Sequence, residues 1–202
     1  MTINMIFGGN EVIGLTFLAA KKMKKSVTHG KRIQEVSEND ITFTEEDVDE
    51  LLLPHNDAMV ISLIILYFKI KRVLVDPGSS TNIIQWRVLE QAKLTGNIIP
   101  VTKLLVGFNQ ISVTTQGEIL LPTHAEGITK TTLFEVVDSD MGYNVILGRP
   151  WIHEMRVVPS TYHQLLKFPT PEGIKKIRRD QTVARKMNAI TVSNSKGKES
   201  GK

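Results

Sequence analysis

The 202-residue chain carries a formal net charge of +4, with 41% hydrophobic and 23% charged residues, enough for one ordinary folded domain with tails or two very small ones. It contains no cysteine, which excludes disulfides, zinc–thiolate sites and thiol nucleophiles. The basic excess permits contact with nucleic acid or an acidic surface without requiring it, and no stretch approaches the roughly 18 consecutive apolar residues of a transmembrane helix.

Residues 1–20 are apolar and Gly-rich without a clear period, and read as loop or a short strand. Positive charges follow this stretch instead of preceding it, the reverse of a secretory signal. Residues 21–32, KKMKKSVTHGKR, are basic and read as a solvated linker, whereas residues 44–50, TEEDVDE, are acidic. The change from basic to acidic to apolar sets a domain boundary near residues 50–55. The segment before it, residues 1–54, is expected to be a largely disordered linker.

The next run, AMVISLIILYFKIKRVLVD, is rich in β-branched and aromatic residues and too long for one strand. It predicts two strands divided near Leu66 and Tyr67. The turn residues DPGSST end it, and NIIQWRVLEQAKLTG predicts a short helix that stops before Gly96. Four further strands are predicted in VTKLLVGF, ISVTTQGEILLP, TTLFEVVD and YNVILG, punctuated by Gly107, Gly117, Pro122 and Gly127. RPWIHEM predicts a short helix with Pro150 in its first turn. RVVPSTYHQLLKFPTPEGIKKI predicts two short strands joined at Pro-Glu-Gly, RDQTVARKM a terminal helix, and NSKGKESGK a disordered tail. The β-rich texture delimits a mostly β domain over residues 55–170, with an extension over 171–202.

The sharpest chemical signal is VLVDPGSS, residues 73–80. An apolar strand delivers Asp76 into a Gly-Ser-Ser turn, whose N–H groups and hydroxyls can hydrogen-bond a carboxylate. The octapeptide alone fits an Asp turn without chemistry equally well. A second signal, YNVILGRPW over residues 143–151, is an apolar strand ending in Gly148 and entering a helix. Asp140-Met141-Gly142 follows a polar loop instead of an apolar strand and is assigned no catalytic role. Trp86 and Trp151 read as packing residues, and His55 as a surface histidine.

Taken together, the two blocks resemble the retropepsins, the aspartic proteases of retroviruses and LTR retrotransposons. The match is to an apolar-apolar-Asp-Thr/Ser-Gly-Ala/Ser motif, a flap hairpin, and apolar-apolar-Gly before a short helix. PHNDAMVISL, PSTYHQLLKFPT and RDQTVAR look most like the protease-like segment of plant gypsy-type polyproteins, and IFGG and ITFTEEDV resemble the linker that precedes it there. The resemblance implies an all-β, closed acid-protease barrel with a short helix, one lobe per chain, paired as a two-fold homodimer. It implies that Asp76 is catalytic, within a loop formed by Pro77, Gly78, Ser79 and Ser80. The flap is expected between Leu104 and Leu121, with its tip over residues 107–112 including Gly107, Phe108, Asn109 and Gln110. Gly148 and Arg149 are the expected structural motif, with Arg149 pairing a carboxylate at a dimer or domain edge. Pro77 departs from the family's Thr or Ser and supplies neither hydroxyl nor backbone N–H.

The expected activity is an aspartic endopeptidase acting on an extended peptide of a retroelement polyprotein; the alternative is an inactive dimerisation or spacer module of the same fold. No cofactor or metal is expected. Direct nucleic-acid contact lacks a zinc knuckle, a phosphate-binding loop or aromatic-basic interleaving. No membrane partner is expected, and the implied location is cytoplasmic or nuclear.

Overall fold

The computed structural model describes residues 40–48, 56–107 and 112–180. Expectations for the basic block, the terminal helix beyond Asp180, the tail, His55, and the flap residues Phe108, Asn109 and Gln110 lie outside the described residues.

The long apolar run folds as β1 (Val60–Ile65) and β2 (Phe68–Val75), paired antiparallel across a turn at Leu66 and Tyr67. Alternation in β1 turns Ile61, Leu63 and Ile65 into the core. The first half of β2 is largely solvated, and only its end, Val73 and Val75, enters the core. β3 (Ile83–Gln85) follows and runs directly into helix α1 (Trp86–Gln91). The helix predicted from Asn82 onwards is therefore shorter at its start. Ile84 is β-branched and buried, and β3 finds partners on both edges, which outweighs local helical patterning.

β4 (Leu104–Val106) and β5 (Ser112–Thr114) form a separate antiparallel pair. The stretch predicted as one strand from Ile111 breaks at Thr115 and Gln116, and β6 (Gly117–Ala125) leaves in the barrel. β6 pairs along its length with β7 (Ile128–Val137). Pro122 is tolerated in β6, and its carbonyl accepts the Leu66 N–H at 2.7 Å. β8 (Val145–Leu147) then inserts between β2 and β3, parallel to the first and antiparallel to the second. The ring closes in the order β1-β2-β8-β3-β7-β6.

Helix α2 (Arg149–Glu154) begins with Pro150 in its first turn and buries Trp151 and Ile152. The indole N–H of Trp151 donates to Thr123 Oγ1 at 3.2 Å, so the buried ring keeps its polar atom satisfied. Three strands follow instead of two: β9 (Val158–Ser160), β10 (Leu165–Thr170) and β11 (Gly173–Arg178), in the order β11-β10-β9. A boundary at residue 170 would cut between β10 and β11, which pair over six positions.

Leu166, Phe168 and Ile177 join the barrel residues in one core with Trp151 and Phe134. Part of the expected linker also belongs to this body. Residues 40–48 include a 3-10 turn (Glu45–Val48) whose Asp47 is buried against Lys167 of β10. Among the described residues no helix is long and apolar enough to cross a membrane.

Candidate active site

Asp76 stands at the end of β2, one residue past the buried Val75. Its N–H donates to the Leu147 carbonyl at 2.9 Å, so the strand pairing of β2 with β8 holds its backbone. The carboxylate turns back over its own loop, where Oδ1 accepts the Gly78 N–H at 2.8 Å. A side chain at position 78 would place its Cβ 3.0 Å from that oxygen, so the carboxylate would have to shift by a few tenths of an ångström to admit it. The Ser79 N–H donates to the Asp76 carbonyl at 3.1 Å, and Ser79 Oγ donates to Thr81 O at 2.7 Å. Pro77 and Ser80 are exposed, and Asp76 is partly so.

The second block meets the first in space. The Arg149 N–H donates to Ser79 O at 3.0 Å, and Arg149 Nη1 donates to the carbonyls of Pro77 at 3.2 Å and Gly78 at 2.9 Å. Within one chain the Arg149 partners are thus backbone carbonyls of the Asp76 loop. Gly148 packs so closely on this loop that a Cβ there would lie 2.3 Å from Thr81 O and 2.9 Å from Ser79 O.

Asn82, which the sequence reading passed over, joins three segments. Its Oδ1 accepts the Gly148 N–H at 2.9 Å and its Nδ2 donates to Leu133 O at 3.0 Å. Its backbone carbonyl accepts the Glu135 N–H.

An open cleft of about 710 Å³ lies over Asp76. It is lined by the Asp76 loop with Ile83 and Ile146, and by Leu104, Leu105, Val106 and Val113 of the β4–β5 pair with the adjoining Gly107. Ser139 and Met141, in the loop around Asp140-Met141-Gly142, also line it. Two residues flanking the β3–α1 junction hold that loop. Gln85 Nε2 donates to Ser139 Oγ at 3.0 Å, and Arg87 Nη2 donates to the carbonyls of Met141 at 2.9 Å and Tyr143 at 3.2 Å. Burial raises the Tyr143 phenol above its usual value.

At the base of the β4–β5 pair, Lys103 Nζ reaches Glu118 at 2.8 Å and Glu135 at 2.7 Å. These hydrogen bonds hold its ammonium above the usual lysine range. Thr115 holds the same base through backbone and side chain: the Lys103 N–H donates to Thr115 Oγ1 and the Thr115 N–H to Lys103 O, both at 2.9 Å. Among the described residues no three His, Asp or Glu side chains converge as metal ligands would.

No protein-family model matches the chain, and no curated protein matches it by sequence. Solved structures do match. The retroviral protease-like domain of Ddi1 from Leishmania major superposes with a TM-score of 0.50 at 17% identity, covering 61% of this chain and 94% of that one. The fold is retropepsin-like. EIAV protease in complex with the inhibitor HBY-793 aligns at 16% identity and a TM-score of 0.39, covering 52% of this chain and 95% of that one. Simian foamy virus (mac) protease aligns at 17% and 0.35, covering 50% and 99%. In a retropepsin-like barrel of this topology, the Asp76 loop and the Gly148 junction are brought together by the insertion of β8 between β2 and β3.

Proposed function

We propose that this chain is one half of an aspartic endopeptidase, completed when Asp76 of one copy meets Asp76 of another. The observation that carries this reading is the Asp76 carboxylate itself. It lines an open cleft, on a loop held by its own glycine and by Arg149, and residues of the β4–β5 pair line the same cleft. Two such carboxylates at close range share one proton, because ionising both is costly. The ionised member takes a proton from a water between them, and the protonated member donates to the substrate carbonyl. The water oxygen then attacks the carbonyl carbon, and a tetrahedral intermediate forms without a covalent enzyme adduct. The cleft suits an extended peptide, and the likeness of flanking segments to plant gypsy-type polyproteins makes such a polyprotein the substrate of this reading. Its site of action is then the cytoplasm or nucleus.

Pro77 favours a second reading, a non-catalytic pairing or spacer module, because it supplies no hydroxyl beneath the paired carboxylates. One experiment separates the two. A denatured generic protein is incubated at mildly acidic pH with the unmodified chain and with Asp76→Asn. Cleavage by the first and none by the second is expected. No cleavage by an unmodified chain shown to be dimeric would leave only the non-catalytic module.

A further inference from the structure

β10 and β11 present two faces with different chemistry. Leu166, Phe168 and Ile177 point into the barrel core. By strand alternation Leu165, Lys167, Lys176 and Arg178 share the opposite face. Lys167 and Lys176 are direct cross-strand partners, an arrangement that repels unless an anion lies between them. With residues 42–48 in place Lys167 is 5% exposed, so its ammonium is met by protein groups and not by water.

Residues 42–48 supply what this face lacks. Asp47 is 1% exposed; its Oδ2 takes Lys167 Nζ at 2.6 Å and its Oδ1 takes Lys176 Nζ at 2.9 Å. Its backbone carbonyl accepts Arg178 Nη1 at 3.3 Å, and the Thr44 N–H donates to Oδ2 at 3.1 Å. Lys167 Nζ also donates to Thr42 O at 2.6 Å. Phe43 stacks on His163 with ring centroids 5.2 Å apart and lies 4.8 Å from Lys167 Nζ. The adjacent Glu45 and Glu46 are exposed, so position and not acidity alone is selected.

We propose that this face of the β9–β11 sheet is a recognition site for a short acidic peptide with an aromatic residue four positions before its aspartate, and that residues 42–48 are its resident ligand. The site reads a peptide by one buried carboxylate between two lysines, one aromatic ring, and two backbone carbonyls. It therefore holds the segment upstream of the barrel through contacts that do not require a continuous chain.

The test severs that continuity in the full-length protein. A recognition sequence for a site-specific protease is inserted between Glu50 and Leu51, and the folded protein is cut. The N-terminal fragment is expected to remain bound on size exclusion and to be displaced by excess synthetic peptide of residues 40–48. Asp47→Asn should speed its departure by about tenfold or more, the loss of charged hydrogen bonds, whereas Glu45→Gln with Glu46→Gln should leave the rate unchanged. Should Asp47→Asn not fold, Lys176→Ala replaces it, since that side chain is half exposed and lies off the core face; its fragment should likewise leave faster. Departure of the unmodified fragment upon cutting, or an unmodified rate in the folded Asp47 or Lys176 variant, overturns the proposal.

Discussion

Gly148 shows how one residue ties a motif to its surroundings. Its hydrogen occupies the only space available against the Thr81 carbonyl, 2.3 Å from where a Cβ would stand. The obstruction is backbone, so neither side chain nor rotamer can yield. Gly148→Ala is expected to lose roughly 1 to 3 kcal/mol through overpacking, read as a lower urea midpoint at unchanged slope. Asn82→Ala removes the acceptor for the Gly148 N–H and the donor to Leu133 O. With two backbone groups left unpaired, it should cost about 1 to 3 kcal/mol for each one that water cannot reach, by the same measurement. Gly148 is visible in the sequence as the glycine closing an apolar strand. Asn82 is not, since its partners are 51 and 66 residues away and an asparagine before a strand carries no mark of them.

Among the elements, the β4–β5 pair depends on its base. Among the described residues three pairs register between its strands, and Leu104 and Val106 are exposed. Lys103, held by Glu118 of β6 and Glu135 of β7, adds a charged tie from the base of the pair to the barrel. Lys103→Met keeps the stem and removes the charge, leaving Glu135, 6% exposed, without its cation. Amide exchange at Leu105 and Val113 should accelerate while that of Val73 and Val75 stays as in the unmodified chain. Equal protection at all four positions would refute the clamp. The hairpin arms were legible as β-prone runs around a polar centre. The clamp was not, because a lysine between apolar runs looks like any solvated charge. The β3 strand was hidden for a related reason: its partners, β7 and β8, come about 50 and about 60 residues later, and a local window sees only the helix that follows.

At the scale of the whole molecule, the attachment of residues 40–48 makes stability depend on pH. Burial alone would raise the Asp47 carboxyl, but hydrogen bonds from Lys167 and Lys176 outweigh it and hold the group well below the usual carboxylate range. A carboxylate lowered in the folded state binds protons more weakly there than in the unfolded chain. Its contribution is therefore fully present above the unfolded value of about 3.9 and is lost as pH falls from there towards the folded value. Asp47→Asn should flatten that part of the acid limb, seen as a smaller drop in thermal midpoint between about pH 4 and pH 2. An unchanged acid limb would show that other carboxylates dominate it.

By itself the sequence determined the β-rich class, the split of the first hairpin, the short helix after Gly148, and the position of Asp76 at a strand end. Those features follow from alternation, strand length and turn chemistry, which act within a few residues. Tertiary structure decided the rest. It set β8 between β2 and β3, so that Gly148 and Arg149 close on the Asp76 loop. It also brought Met141 to the cleft and drew an acidic segment of the expected linker onto two lysines more than a hundred residues away. Such pairings depend on which strands become neighbours in the barrel, and a buried charge declares its partner only once both are removed from water.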